Sequence, residues 1–119
     1  MSPLPPGDHL DVKDPDPLLV IIARREKSGI RFKSFSPRDG ISITSVTDGD
    51  KEIWDASGEE ECIFAEFSIS RDCLMLYLEI EDGEKVWPRF FEKVGEMWEE
   101  ISVRRFSDNL EKIRSGSSE

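Results

Sequence analysis

His9 is the only histidine in this chain, and it lies among Pro3, Pro5, Pro6, Pro15 and Pro17. A Ser–His or Cys–His nucleophilic pair needs a base held within hydrogen-bond reach of the nucleophile. A proline-rich tail holds nothing in place, so hydrolysis of that type is not expected. Carboxylates are abundant, and a pair of them can cleave glycosidic bonds. Glu59-Glu60-Glu61 and Glu99-Glu100, however, sit in charged, solvated text, whereas a catalytic acid needs burial to raise its proton affinity. Asp48-Gly49-Asp50 resembles a fragment of a calcium loop, but an EF-hand loop runs on to a terminal Glu between two helices, and this stretch reads as a hairpin. Cys62 and Cys73 are too few for a four-ligand zinc site. Gly29, Gly40, Gly49, Gly58 and Gly83 are isolated at turns and form no phosphate loop. The expectation is a protein that is not an enzyme and has no cofactor or metal.

Aromatic residues are the remaining candidates. Trp54 and Trp98 read as core. Trp87 shares a strand face with Arg89 and Phe91, and an exposed Trp is a frequent anchor of protein interfaces. Tyr77 and Met75 point away from the core face of their own strand and would be neighbours on an outer face that binds something. The candidate binding residues are therefore Trp87, Arg89, Tyr77 and Met75.

The chain has 119 residues, of which 37% are hydrophobic and 35% charged, with a formal net charge of −10. One domain of this length buries roughly two thirds of its unfolded surface, enough for a single core. The negative field repels phosphate backbones and anionic lipid heads, so no nucleic-acid partner is expected. No apolar run is long enough to cross a membrane as a helix. A monomer is expected.

The elements that must position these side chains follow from periodicity. Residues 1–17, rich in Pro and Asp, read as a flexible segment. Leu18 to Ala23 reads as a strand, Arg24 to Gly29 as a turn, and Ile30 to Phe35 as the partner strand. Pro37 to Gly40 is a turn, Ile41 to Val46 a strand, and Asp48-Gly49 a hairpin signal leading to Lys51–Trp54. Ile63, Ala65, Phe67 and Ile69 alternate along one strand; Leu74, Leu76, Leu78 and Ile80 alternate along the next. Folding at Ser70-Arg71 sets Phe67 against Leu74, Ala65 against Leu76 and Ile63 against Leu78. That register keeps Cys62 and Cys73 apart and predicts two free thiols. Glu81 to Glu84 turns the chain into Val86–Phe91, an edge strand by virtue of Pro88. From Glu96, residues Trp98, Ile101, Phe106, Leu110 and Ile113 fall near one helical stripe, and Asp108 with Glu111 resembles a capping box. The fold class is α+β: an antiparallel sheet of six to seven strands, curved or barrel-like, with a C-terminal helix. The domain spans 18–114, and 115–119 is a disordered tail.

Val46-Thr47-Asp48-Gly49-Asp50-Lys51-Glu52-Ile53-Trp54, the stretch from Gly83 to Phe91, and Trp98-Glu99-Glu100-Ile101 together resemble the FAINT domain, a module frequently associated in Theileria. The resemblance covers roughly residues 30–101; the proline of Trp87-Pro88-Arg89 and the segment after Ile101 depart from the pattern. It implies a module of proteins that apicomplexan parasites export to their surface or into the host cell, with no established activity and no catalytic residues to transfer. The function expected is a non-enzymatic interaction module of a secreted or surface protein, binding a host or parasite protein. The alternative is a pleckstrin-homology-like adaptor for a peptide or phosphoinositide, with Arg24-Arg25-Glu26-Lys27 as its basic turn.

Overall fold

The computed structural model describes residues 7–71 and 73–116. Among them nine strands and one helix follow in order: β1 (Asp8–Asp11), β2 (Val20–Lys27), β3 (Ile30–Pro37), β4 (Ile43–Asp48), β5 (Lys51–Asp55), β6 (Glu60–Ile69), β7 (Leu74–Asp82), β8 (Lys85–Val94), β9 (Met97–Ile101) and α1 (Val103–Gly116). The α+β class and the C-terminal helix are as expected. The two additional strands, β1 and β9, come from segments that read as a tail and as the start of the helix.

All nine strands belong to one sheet that curls into a half-barrel. β6 is its spine. One long edge of β6 pairs with β7, which leads on to β8 and β9. The other edge is shared: residues 65–69 pair with β3 of the β2–β3 hairpin, and Cys62 pairs with Ile43 of β4. β4 carries β5 and, in parallel, β1. The inner, concave face holds the core, which includes Val20, Phe35, Ile43, Val46, Trp54, Ala65, Leu76, Leu78, Ile80 and Phe91.

Residues 8–12 correct the reading of 1–17 as wholly flexible. Leu10 and Val12 are buried in the core, and the amides of Asp8 and Val12 donate to Ser42 O (2.7 Å) and Thr47 O (2.8 Å). Alternation of Leu10 and Val12 with polar His9 and Asp11 is a strand signal, and the prolines flank it rather than interrupt it. Residues 1–6 lie outside the described residues, as do 117–119 of the expected tail.

The β6–β7 register is shifted by two from the one expected: Phe67 pairs with Leu76, Ala65 with Leu78 and Ile69 with Leu74. A slip of two keeps every side chain on its face, so alternation does not distinguish the two registers. The deciding feature is the connection, which spans residues 70–73 and is tied by Ser70 N to Cys73 O at 3.0 Å. A bulge at Ile63 then switches parity, so that Cys62 rather than Ile63 faces the core opposite Ile80. Both thiols are free.

The β2–β3 hairpin is longer than the sequence reading allows. Its turn is Ser28-Gly29, both with positive φ (54° and 80°), the geometry of a two-residue hairpin loop. Arg24 to Lys27 are therefore strand, not turn. Trp98 and Ile101 lie on β9, and the helix begins after Ser102, whose Oγ accepts the amide of Arg105 at 3.1 Å. This N-cap replaces the expected capping box at Asp108. β8 is not the edge strand expected from Pro88 along its whole length: β9 pairs with it from Phe90 onward, and only the half before Phe90 is uncovered, where the register turns the missing N–H of Pro88 outward.

Candidate interaction surface

The outer, convex face of the sheet carries a second apolar layer. Strand alternation places Ile30 and Phe32 of β3, Ser68 of β6, Met75 and Tyr77 of β7, and Phe90 of β8 on this side. α1 covers part of it with Phe106 and Leu110, which recur at helical spacing. The Phe90 and Phe106 rings lie 4.8 Å apart between centroids, and Tyr77 lies 5.4 Å from Phe90 and 6.5 Å from Phe106, the range of favourable aromatic pairs.

The helix does not reach the β2–β3 hairpin. A groove of about 350 Å³ remains between them, floored by Phe32, Tyr77, Phe90 and Phe106 and rimmed by Arg25, Lys27 and Glu66. The Arg25 guanidinium lies 4.0 Å over the Phe32 ring and reaches both carboxylate oxygens of Glu66 at 3.3 Å. Glu66 is thereby held as an ion pair. On the floor, the Tyr77 hydroxyl donates to Glu79 Oε2 at 2.7 Å. Burial, the bond to the Glu79 carboxylate and the nearby negative charge push its phenol up to about 12.

The β2–β3 hairpin is a basic island in an acidic chain. It carries Arg24, Arg25, Lys27, Arg31 and Lys33 against Glu26 alone. Cross-strand pairing puts Arg24 beside Lys33, and Glu26 beside Arg31, on the inner side of the hairpin, where they border a second hollow of about 490 Å³.

The four residues picked from the sequence do not form one surface. Trp87 is 50% exposed and lies on the inner face at the sheet rim, with Lys85 Nζ 5.7 Å from its ring centre. Arg89 is on the same face, where its Nε and Nη2 donate to the two carboxylate oxygens of Glu100. That pairing, ahead of the opposing effect of burial, holds Glu100 below the usual carboxylate range. Tyr77 and Met75 are on the opposite face. Met75 is 0% exposed, and Asn109 Nδ2 of α1 lies 3.6 Å from its sulfur. The outer face expected to be open at Met75 is covered by the helix, and the opening lies one strand over, toward Phe32. Phe32, Phe90 and Phe106 of the floor and Glu66 of the rim are groove residues that sequence reading missed, and Arg25 was assigned to a turn. Correct extension of β2 would have placed Arg25 beside Phe32, its cross-strand partner.

The model of the FAINT family, described as a domain of unknown function (DUF529), matches residues 11–76. That span takes in the Val46–Trp54 segment but stops short of the Gly83–Phe91 and Trp98–Ile101 stretches, and it begins earlier than the resemblance suggested, at β1. No curated protein and no solved structure matches the chain.

Proposed function

The chain belongs to the FAINT family, a domain of unknown function, and on that footing we propose that it is a non-enzymatic module that binds another protein through the groove between α1 and the β2–β3 hairpin. The observation that carries this reading is the groove itself: four aromatic rings line an open hollow on a face that the rest of the chain covers with a helix. Aromatic floors with a polar or cationic rim suit the insertion of a partner's apolar side chain. Glu66, the one carboxylate among the described rim residues, is engaged by Arg25, which makes it a structural charge. Placement of the protein at a parasite surface or in the host cell is part of the proposal and is supported by the family resemblance. Trp87 and Arg89 are a separate proposed contact on the inner rim.

The test is selection of binding sequences from a random displayed peptide library against the whole chain. Binders that lose affinity with Phe106→Ala and Phe32→Ala, while the variants keep their fold by circular dichroism, support the groove. Binders indifferent to both variants remove it. The pleckstrin-homology-like alternative has one observation in its favour: Arg24, Arg31 and Lys33 border the inner hollow of the hairpin. Sedimentation with phosphoinositide vesicles tests it, and absence of binding at low salt ends it.

A further inference from the structure

Among the described residues, β2 pairs with β3 along one side only and is an edge of the sheet. The hairpin register fixes which groups it leaves open. Lys27 and Ile30 close the two-residue turn, so Arg25, Ala23 and Ile21 exchange hydrogen bonds with β3, and the N–H and C=O groups of Ile22, Arg24 and Glu26 point outward. Val20 marks the end of this open stretch, since its amide donates to Asp16 O at 3.2 Å. An exposed row of this kind is a template for a further strand.

Other edges are less suited. The uncovered half of β8 contains Pro88, which offers no donor. β5 faces β9 where the half-barrel draws together. β2 is eight residues long, and its side chains declare what can lie beside it. Arg24 projects to the inner side of the hairpin, and Arg25 and Lys27 to the outer. Opposite charges on neighbouring strands stabilise pairing and like charges oppose it. A second copy joined symmetrically through β2 would set cations near the same cations of its partner, so this edge selects against self-pairing.

We infer that the outer edge of β2 accepts an extended acidic segment of another protein as an added strand, with backbone hydrogen bonds to Ile22, Arg24 and Glu26 and carboxylates beside Arg24 and Lys27. Strand addition of this sort draws affinity from the main chain and specificity from alternate side chains. The inference rests on the reading above that the protein works by binding another protein, and it supplies that partner's chemistry. The edge adjoins the groove through Arg25 and Lys27, so an added strand lies along the groove's rim.

The closing experiment uses the same displayed library and three substitutions. Arg24→Pro removes an outward N–H and leaves the bonds to β3 in place; Arg24→Gln removes charge only; Phe106→Ala alters only the groove. Glu26→Pro serves as a second edge variant should Arg24→Pro fail to fold. The expected binders carry Asp or Glu at two positions three residues apart, one on each face of the added strand, to meet Arg24 and Lys27. They weaken about tenfold or more with either proline variant and about threefold with Arg24→Gln at low salt. Binding also slows amide exchange at Ile22, Arg24 and Glu26. Binders that lack acidic residues, or that depend on Phe106 but not on the edge, overturn the inference and leave the groove reading standing. Binders that depend on neither, or a library that yields none, contradict both. Two further results overturn the added strand: dimerisation abolished by Arg24→Pro, and binding to anionic vesicles that Arg24→Gln abolishes but Arg24→Pro does not affect.

Discussion

Asp48 at the end of β4 accepts a hydrogen bond from the indole Nε1 of Trp98 on β9, 3.0 Å away and fifty residues along the chain. The same oxygen, Oδ2, accepts Lys93 Nζ of β8 at 2.9 Å. These bonds draw the two ends of the curled sheet together. They also settle what the Asp48-Gly49-Asp50 stretch does. Asp48 faces a lysine and an indole, and the Gly49 amide donates to Asp11 Oδ1 at 2.9 Å. The stretch closes the half-barrel and ties β1 to the β4–β5 turn.

Asp48→Asn is expected to destabilise the fold by about 2 kcal/mol, the scale of hydrogen bonds to a charged group. Burial alone would raise the Asp48 carboxyl, but the bonds from Lys93 and Trp98 and the charges of Lys93 and Lys13 outweigh it and hold the group below the ordinary aspartate value of 3.8. A depressed folded value means that the stabilisation is present above the unfolded value and is lost as pH falls through the folded one. The stability gap between wild type and Asp48→Asn, measured by denaturant titration, should be constant near neutrality and shrink below about pH 4. A gap that widens in acid contradicts the assignment.

Tyr77 is the only tyrosine, so its phenol can be followed directly by ultraviolet absorbance. Its titration should occur near pH 12 instead of the ordinary value of about 10. Glu79→Gln should lower it, because that substitution removes the negative charge beside the hydroxyl. The linkage sign is the reverse of that for Asp48: any stability tied to the neutral phenol is complete below the unfolded value and declines as pH rises toward the folded one.

Thiol reactivity should separate the two cysteines. Cys62 is buried in the core, where desolvation pushes its thiol up to about 12. Cys73 is only partly buried, with its thiol raised chiefly by desolvation. Thiolate is the reactive form. A disulfide reagent in excess should therefore modify Cys73 first and reach Cys62 only as the protein unfolds. Equal rates in the native state would place Cys62 outside the core.

The helix that bounds the groove depends on its cap. Ser102→Ala should cost about 1 kcal/mol and loosen the cover over Met75. Faster oxidation of Met75 by peroxide, measured by mass spectrometry, is the expected accompaniment. Unchanged oxidation would mean that the apolar contacts of Phe106 and Leu110 hold the helix without the cap.

Local chemistry made much of this architecture readable. Asp48-Gly49 and the Glu81–Glu84 stretch gave correct turns, because glycine at positive φ is a residue-level requirement. The alternation from Leu74 to Ile80 found the central strand. What was not readable depended on events elsewhere in the chain. The register of β6 on β7 is set by a four-residue connection and a bulge, and a period of two is blind to a shift of two. Leu10 and Val12 looked too few to order a proline-rich stretch, and they become buried only because β4 offers them an edge. Trp98 and Ile101 also fit a helical stripe, yet Gly95-Glu96 turns the chain into β9, and Ser102 starts the helix. The groove was hidden for the same reason: Tyr77 could be assigned to an outer face, but only the placement of α1 shows that this face opens beside Phe32 and not at Met75.

The most direct test of the account is nuclear magnetic resonance of the whole chain titrated with the library-selected peptide. The ring resonances of Phe32, Tyr77, Phe90 and Phe106 are predicted to shift together and to saturate at the same peptide concentration. Shifts confined to Trp87 and the inner rim, with those four rings unmoved, would contradict it.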